Sequence, residues 1–546
     1  MKQQLVQLVA AVVKDLFDLT VEPDFTRPDE QFGDYATNVA LQLSKQLGKN
    51  PREIAQAITE QLQSDFIRSA TVAGPGFINL SLSDSALVAA ASTQPITEPI
   101  VADAVIETNN PNPFKAMHIG HAFNAILADT VANLLEARHG SVHRVSYHGD
   151  VGAHVGKSMW SLLKFVDGDP QKLTTITEAE RNSFMSRMYA EGATSYKHDE
   201  QAKAEIDDLA KQSFSREDPV YAAVYQVCFD WSFAQINATV ERLGNKPTVR
   251  RYLESEADAL GVETVRAHVP DVFTQNDGAL LFEGSKYGAF DNVFVGSNGR
   301  GLYAARDLGL MQLKHQDFPS ATKSYIVTAE EQRDYFKGVI KAAELCLPEL
   351  AGVTVNISTG TVKLTSGKMS SRSGEVVEIA WLFDTVGEAI RERGSEPTEE
   401  LIAGALRYQF LKVRIGSDVV FDVTEAVSLQ GNSGPYLQYA HARARSVLSK
   451  TTNQPAALTE LEADERSLVR KISEYPEVVE VATRELLPHH ICTYLYELAQ
   501  TFNRFYEKNR VIGDPREAER LTLVQQYADT LKAGLTLLGI TAPERM

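Results

Sequence analysis

The sequence predicts an α/β protein built on a doubly wound parallel sheet, with an α+β domain before it and an all-helical domain after it. Three observations support this prediction. Residues 101–160 have the pattern of strand, helix and strand, residues 323–332 that of another buried strand ending in carboxylates, and most of the chain after residue 380 that of amphipathic helices. Ligands of such a sheet bind at the carboxyl ends of its strands, near the point where the strand order reverses.

The chain divides where composition and periodicity change. Residues 1–95 combine helix-like runs with a closing strand, turn and strand, and residues 96–103 form a linker. We expect the catalytic sheet within residues 101–380, interrupted by a charged, turn-rich insertion at about 165–290. Residues 381–546 then form the helical domain.

Composition excludes several classes of protein. The 546 residues carry a net charge of −18, and 43% of them are hydrophobic, which is typical of a globular protein of several domains. Three scattered cysteines predict reduced thiols in the cytoplasm and exclude a cysteine-based zinc site. Lys14, Asp15 and Asp18 interrupt the first apolar stretch, so it resembles an amphipathic helix and not a signal peptide, and no run has membrane-spanning length.

One strand-to-helix turn carries distinctive chemistry. The segment IETNNPNPFKAMHIGHAFNAILAD, residues 106–129, leads from an apolar strand through Lys115, His118, Gly120 and His121 into an apolar helix. Backbone N–H groups and the positive helix end at such a turn can hold phosphates, and Gly120 lets a nucleotide approach the backbone. The alternatives are a metal half-site, which lacks a third ligand at suitable spacing, and a pair of structural histidines. We predict a nucleotide site and no protein metal site.

A second motif favours the nucleotide site over both alternatives. The segment VKLTSGKMSSRSGEVVEI, residues 362–379, places Lys368, Met369 and Ser370 in a loop rich in Gly and Ser between two β-prone runs. A cationic loop of this kind can close over bound phosphates. Together and in this order, the two motifs indicate transfer of an adenylyl group.

The motifs resemble the signatures of class I aminoacyl-tRNA synthetases, and the whole chain resembles the arginyl family of that class. HIGH at 118–121 matches the first signature, and KMSSR at 368–372 stands at the place of the second. FGDYATNVA (32–40) and GPGFINL (74–80) are similar to the arginyl N-terminal domain, while GPYLQYAHARARS (434–446) and the terminal GLTLLGITAPERM are similar to the C-terminal domain. The first motif alone would also suit smaller nucleotidylyltransferases.

This resemblance implies a Rossmann-type catalytic domain, a tRNA-contacting N-terminal domain and an anticodon-binding C-terminal domain. It implies a monomer that activates L-arginine with ATP and Mg²⁺ to arginyl-adenylate and then esterifies the terminal ribose of tRNA(Arg). The residues implied in ATP binding are His118, Gly120, His121, Lys368, Met369 and Ser370. His118, His121 and Lys368 are also expected to be catalytic. The second lysine of the class loop is replaced by Ser371, and we expect Lys115 to compensate for it.

Arginine itself requires fixed carboxylates and a flat partner for its guanidinium. Tyr303 and Asp307 lie one helical turn apart, so a ring and a carboxylate share a face. The resemblance implies that these two residues take the guanidinium, and that Glu107 and Asn112 hold the α-amino and carboxylate end.

The remaining predicted arginine contacts are Asn110, Asp150 and Glu331. Many relatives have a glutamine at the last of these places. Here Gln332 follows Glu331, so the sequence leaves the register of this contact open.

The tRNA contacts are predicted from local charge. Residues 401–450 carry six Lys or Arg against three Asp or Glu, a balance of +3 in an acidic chain, and include Arg443 and Arg445. Arg504 and Lys508 form a second basic stripe, interleaved with the aromatic residues Phe502, Phe505 and Tyr506. The alternative for either stripe is a solvated helix face.

The sequence alone leaves two rival functions open. One is a class I synthetase for another amino acid, which the pair Tyr303 and Asp307 argues against. The other is a non-catalytic tRNA-binding relative, which the intact His118, His121 and Lys368 argue against.

Overall fold

The N-terminal domain packs helices on a small antiparallel sheet. The computed structural model describes residues 1–92, 100–138, 140–365 and 377–546. The domain's strands have the order β1-β2-β4-β3, and every neighbouring pair is antiparallel. In chain order its elements are α1 (Lys2–Phe17), β1 (Phe25–Thr26), β2 (Tyr35–Thr37), α2 (Val39–Leu47), α3 (Pro51–Gln61), β3 (Ile67–Ala73), β4 (Phe77–Leu82) and α4 (Asp84–Ala91).

The central domain confirms the predicted parallel sheet. It has five strands, and every neighbouring pair of them is parallel. The first two strands and the helix between them are β5 (Asp103–Asn109), α5 (Ile119–Glu136) and β6 (Ser141–His148). Six of the seven residues of β5 are buried, as expected for a strand covered on both faces.

The predicted insertion is not one continuous addition. Between β6 and the next strand of the sheet lie four helices, α6 (Ala153–Val166), α7 (Arg181–His198), α8 (Glu200–Ser215) and α9 (Pro219–Arg242). The chain then returns to the sheet as β7 (Arg250–Leu253), which pairs with β6 inside the range predicted as insertion. This four-residue strand is too short for its periodicity to be recognised.

The second half of the domain completes the sheet in the order β12-β11-β5-β6-β7. The order reverses between β5 and β11, which is the predicted switch point. A separate three-stranded antiparallel sheet, β10-β9-β8, lies before α11 in the chain. The elements are α10 (Glu254–Ala267), β8 (Thr274–Asn276), β9 (Ala279–Phe282), β10 (Asn292–Val295), α11 (Tyr303–Asp317), β11 (Lys323–Ala329), α12 (Arg333–Cys346), β12 (Thr354–Thr359) and β13 (Val362–Leu364).

The C-terminal region is helical, as predicted, apart from one short strand. That strand, β14 (Val419–Phe421), pairs in parallel with β13 and so joins the helical region to the catalytic domain. The helices are α13 (Ile379–Glu392), α14 (Glu399–Leu411), α15 (Val423–Ala426), α16 (Gly434–Leu448), α17 (Ala463–Ser473), α18 (Tyr475–Glu485), α19 (His489–Lys508) and α20 (Glu517–Leu537). No helix within the described ranges is both long enough and apolar enough to cross a membrane.

Candidate active site

A cavity of about 540 Å³ opens at the switch point of the parallel sheet. Its walls come from the carboxyl ends of β5, β11 and β12, the first turns of α5, and one side of α11. The parallel topology explains this convergence, because the carboxyl ends of all five strands meet at one edge. The cavity therefore gathers residues that are far apart in the sequence.

The histidine motif forms the start of α5. His118 is the N-cap residue, and its Nδ1 accepts a hydrogen bond from the backbone N–H of His121 (3.4 Å), while Nδ1 of His121 accepts one from the backbone N–H of His118 (3.2 Å). The ring centroids are 3.6 Å apart. Because each Nδ1 accepts, a neutral ring carries its proton on Nε2 and can donate it to a ligand.

Both rings are neutral at pH 7. Burial, followed by the positive charge of Lys115, lowers the pKa of His118 to about 4. Burial, followed by His118 and Lys115, lowers the pKa of His121 to about 3. A Cβ atom at Gly120 would lie 3.2 Å from the His118 ring, so a larger residue at this position would press against the ring. Two neutral donors and a positive helix end form a site suited to phosphate oxygens.

Two carboxylates line the same cavity, the buried Glu107 and the half-buried Asp307, and of the two only Glu107 forms an ion pair within the described parts of the chain. Glu107 accepts from Nζ of Lys314 (2.6 Å) and from Nδ2 of Asn110 (2.7 Å). Asp307 accepts from Oη of Tyr335 (2.6 Å) and has no ion pair among the described residues. Burial is the main cause that raises the pKa of Asp307 to about 7. A cationic ligand would supply the missing charge.

Tyr303 is not among the residues that line this cavity, and its predicted contact with the guanidinium stays a prediction. It is the first residue of α11, and 68% of its surface is exposed. Because no helical turn precedes Tyr303, its side chain has few neighbours on its own helix. Tyr335 of α12 contacts Asp307 in its place.

Glu331 and Gln332 differ in their position relative to the cavity. Residues 330–332 form a single 3₁₀ turn after β11, and the third residue of that turn, Gln332, lines the cavity. Glu331 is exposed and is not part of the cavity wall. The structure favours Gln332 for this contact, and the contact of either residue with arginine stays a prediction.

Asn110 lines the cavity, whereas Asn112 and Asp150 are not among its lining residues. Asn112 accepts from the backbone N–H of Gly149 (2.8 Å) and so connects the loops after β5 and β6. Asp150 is fully buried and binds Arg216 (2.9 Å) and the hydroxyl of Ser255 (2.7 Å). With these partners its carboxylate stabilises the segment around the insertion, and its predicted contact with arginine stays a prediction.

Lys115 lies beside the histidine turn but lines a small side cavity with Asn182 and Gln235. Its Nζ is 5.9 Å from the ring centroid of Tyr189, and burial lowers its pKa. Its charge acts on both histidines, as their lowered pKa values reflect. Lys368, Met369 and Ser370 lie outside the described residues.

Sequence reasoning missed Lys314, which lines this cavity, and Tyr335, which contacts Asp307. Lys314 follows Asp307 by seven residues on α11, which is two helical turns, so its place on the same face was recognisable. No local signal identifies Tyr335 as the partner of Asp307, because the two residues belong to different helices.

The predicted tRNA-contacting residues lie on the C-terminal helices with different partners. The Arg443 guanidinium lies 4.7 Å from the ring centroid of Tyr506, and Arg445 binds Glu544 (2.6 Å). Lys508 pairs with Asp464 (3.2 Å), and Arg504 is exposed and donates to the hydroxyl of Thr501 (2.9 Å).

Of the three aromatic residues interleaved with the second basic stripe, Tyr506 lies against Arg443, but the other two do not face solvent. Phe502 and Phe505 belong to the core, where Phe502 stacks on Tyr527 at 3.8 Å. Arg407, which contributed to the local positive balance, is also fully buried. The burial of these residues was not predicted, because helical periodicity alone does not say which face of a helix packs inward.

A parallel sheet with a histidine-bearing helix start at its switch point, followed by a helical domain, is the architecture of class I aminoacyl-tRNA synthetases. The family model described as "tRNA synthetases class I (R), catalytic domain" matches residues 85–409. The models for the arginyl tRNA synthetase N terminal domain and the DALR anticodon binding domain match residues 3–82 and 437–546. The chain belongs to the arginyl-tRNA synthetase family.

Similar proteins extend over nearly the whole chain. The arginine–tRNA ligase of Prochlorococcus marinus is 31% identical over 94% of this chain and 91% of its own length. That of Synechococcus elongatus is 29% identical over 94% of both chains. The solved structure of Thermus thermophilus arginyl-tRNA synthetase shares the fold, with a TM-score of 0.82 at 24% identity and full coverage of both chains.

Proposed function

We propose that this chain activates L-arginine with ATP and transfers it to the 3′-terminal adenosine of tRNA(Arg), releasing AMP and pyrophosphate. One observation carries the proposal: a helix start suited to phosphates and a half-buried carboxylate, Asp307, with no ion pair among the described residues share one cavity. The first suits ATP, and the second suits a guanidinium. Membership of the family supports the same reaction, and we expect a monomer that acts in the cytoplasm.

The nucleotide is proposed to bind at the start of α5. Nε2–H groups of His118 and His121 and the positive helix end stabilise the charge that develops on the phosphates as pyrophosphate leaves. Lys115 adds a positive charge next to them. Lys368, Met369 and Ser370 complete the site by resemblance to the class.

Mg²⁺ is proposed to arrive bound to the phosphates of ATP. Within the described ranges, no group of three or more His, Cys, Asp or Glu side chains is placed to hold a metal ion. The ion would neutralise phosphate charge.

The orientation of arginine follows from the reaction. Its carboxylate must reach the α-phosphate, so the α-carbon end faces the turn between β5 and α5, near Glu107 and Asn110. The guanidinium then lies towards Asp307 and Gln332. Lys314 already neutralises Glu107, so Asp307 is the carboxylate that selects the distant positive charge. No covalent nucleophile is needed, because the reactants only have to be held in position.

Transfer to tRNA requires the helical domain. We propose that the C-terminal helices hold the anticodon arm, with Arg443 as a phosphate or base contact. The match of this region to an anticodon-binding family model supports the proposal.

ATP–pyrophosphate exchange tests the function directly. It should be measured with each of the twenty amino acids, with and without tRNA. We expect exchange with arginine alone. Exchange with a different amino acid would indicate another class I specificity, and tRNA binding without any exchange would indicate a non-catalytic relative; either result refutes the proposal.

A further inference from the structure

The cavity contains a hydroxyl group that no described residue engages. Tyr147, near the end of β6, lines the same cavity as Asp307 and Glu107. Its Oη is buried and has no hydrogen-bond partner within the described parts of the chain. Buried hydroxyl groups are normally paired, so an unpaired one in a ligand cavity points to a ligand that completes it.

The surroundings of Tyr147 define the chemistry of that ligand. Burial, followed by the negative charges of Asp307 and Glu254, raises the pKa of the phenol, which therefore stays protonated at neutral pH. A phenol can donate to a carboxylate and at the same time accept from a cation. Of the neighbouring carboxylates, Glu254 binds Arg306 (2.8 Å) and Glu107 has its lysine partner, which leaves Asp307 for the ligand.

The backbone holds this side chain in a fixed place. The backbone N–H of Tyr147 donates to Oδ1 of Asn110 (3.0 Å), and the residue pairs with Tyr252 of β7 in the parallel sheet. A side chain on a strand inside a sheet loses little conformational freedom when a ligand binds. Its hydrogen bond therefore contributes more to the affinity for the ligand that makes it.

We propose that Tyr147 is a specificity-determining residue whose Oη accepts a hydrogen bond from the substrate guanidinium beside Asp307. The inference rests on the proposed function. A guanidinium presents five N–H donors in one plane, and a carboxylate in bidentate contact takes two of them. Tyr147 provides a neutral acceptor for a third donor without adding charge.

The substitution Tyr147→Phe tests this role because it removes only the hydroxyl. In ATP–pyrophosphate exchange we expect the KM for arginine to rise about 10- to 100-fold, the range of a hydrogen bond to a charged group. The KM for ATP and kcat should change by less than about threefold, since the phosphate end of the cavity is untouched.

Tyr252→Phe is the matched control. Tyr252 is also a buried tyrosine of the same sheet, but its Oη donates to Asp317 (2.8 Å), away from the cavity. This variant should keep the wild-type KM for arginine. If Tyr147→Phe leaves that KM within about threefold of wild type, raises the KM for ATP equally, or behaves like the control, the inference is wrong. Wild-type exchange with arginine is measured in the same series, so a failure of the proposed function would be recognised separately.

Discussion

Arg407 of α14 and Asp129 of α5 form an ion pair of 2.9 Å in which 0% and 1% of the two side chains are exposed. The remaining guanidinium donors bind Leu538 O (2.8 Å), Leu243 O (2.9 Å), Asn245 Oδ1 (2.7 Å) and Thr130 Oγ1 (3.2 Å). All five N–H donors are therefore used. The Arg407 side chain therefore joins three parts of the chain: α5, which carries the histidine motif, the end of α9, and the end of α20.

Replacing this arginine should destabilise the whole protein. Arg407→Leu leaves buried acceptors without donors, and we expect a loss of about 3–5 kcal/mol in the free energy of unfolding. Gly539→Ala tests the same junction independently, because Gly539 has φ +69° and its Cβ would collide with the guanidinium.

Denaturant titration measures both effects. Arg484→Leu is the control, since its pair with Glu485 (3.4 Å) is exposed and should contribute little to stability. Equal stability of the Arg407 and Arg484 variants would contradict the role of the junction.

Asp307→Asn should raise the KM for arginine strongly and leave the KM for ATP near wild type. Removing one charge from a buried, hydrogen-bonded charge pair costs about 2–5 kcal/mol, or roughly 30-fold to several thousand-fold in affinity. Pyrophosphate exchange at varied arginine concentration measures it. A change below about threefold would remove Asp307 from the site.

Arginine binding should strengthen as pH rises from 5.5 to 8. The pKa of Asp307 is raised to about 7 in the empty site, and only the ionised carboxylate binds a guanidinium, which is itself charged throughout. Below pH 7 binding must first remove a proton, so the Kd should increase by up to about tenfold for each pH unit of acidification and level off above pH 7. Calorimetry in two buffers of different ionisation enthalpy would also detect the released proton.

The stability of the empty protein should depend on pH in the opposite direction. Between the pKa of an unfolded aspartate, about 3.9, and about 7 the folded state binds the extra proton, so stability falls as pH rises. Asp307→Asn should abolish both dependences. If its pH profile for arginine binding remained that of wild type, another group would be responsible.

Lys115→Ala should slow adenylate formation about 10²-fold, which corresponds to roughly 3 kcal/mol of lost electrostatic stabilisation, with little effect on arginine affinity. Lys157→Ala is the control, because Lys157 is a neighbouring lysine on α6 that lies over the Tyr196 ring (4.7 Å). Single-turnover adenylate formation distinguishes the two. If Lys115→Ala kept more than about a third of the wild-type rate, the compensation for Ser371 would be wrong and Arg372 would become the candidate.

Arg443→Gln should weaken tRNA binding and reduce its salt dependence by about one unit of slope, as expected for the loss of one phosphate contact. Arg445→Gln should have a smaller effect on the slope, because Glu544 already neutralises Arg445. Filter binding at several salt concentrations measures both. Identical slopes for Arg443→Gln and wild type would make Arg443 a structural residue.

The sequence by itself determined the fold class and placed the histidine motif, the proposed nucleotide site, at a strand-to-helix turn. Strand and helix periodicity is local, so β5, α5 and β11 could be recognised from their own residues. The parallel arrangement then required their ends to meet. The histidine turn was recognisable for the same reason, since all its residues lie within one short segment.

Only the tertiary structure decided which side chains form the cavity and which charges remain free. Glu107 and Lys314 are 207 residues apart, and Asp307 meets Tyr335 from another helix. Arg407 contributes to the positive charge balance of residues 401–450, but packing places it in the core. Burial and ion pairing depend on neighbours that are distant along the chain, and local periodicity contains no information about them.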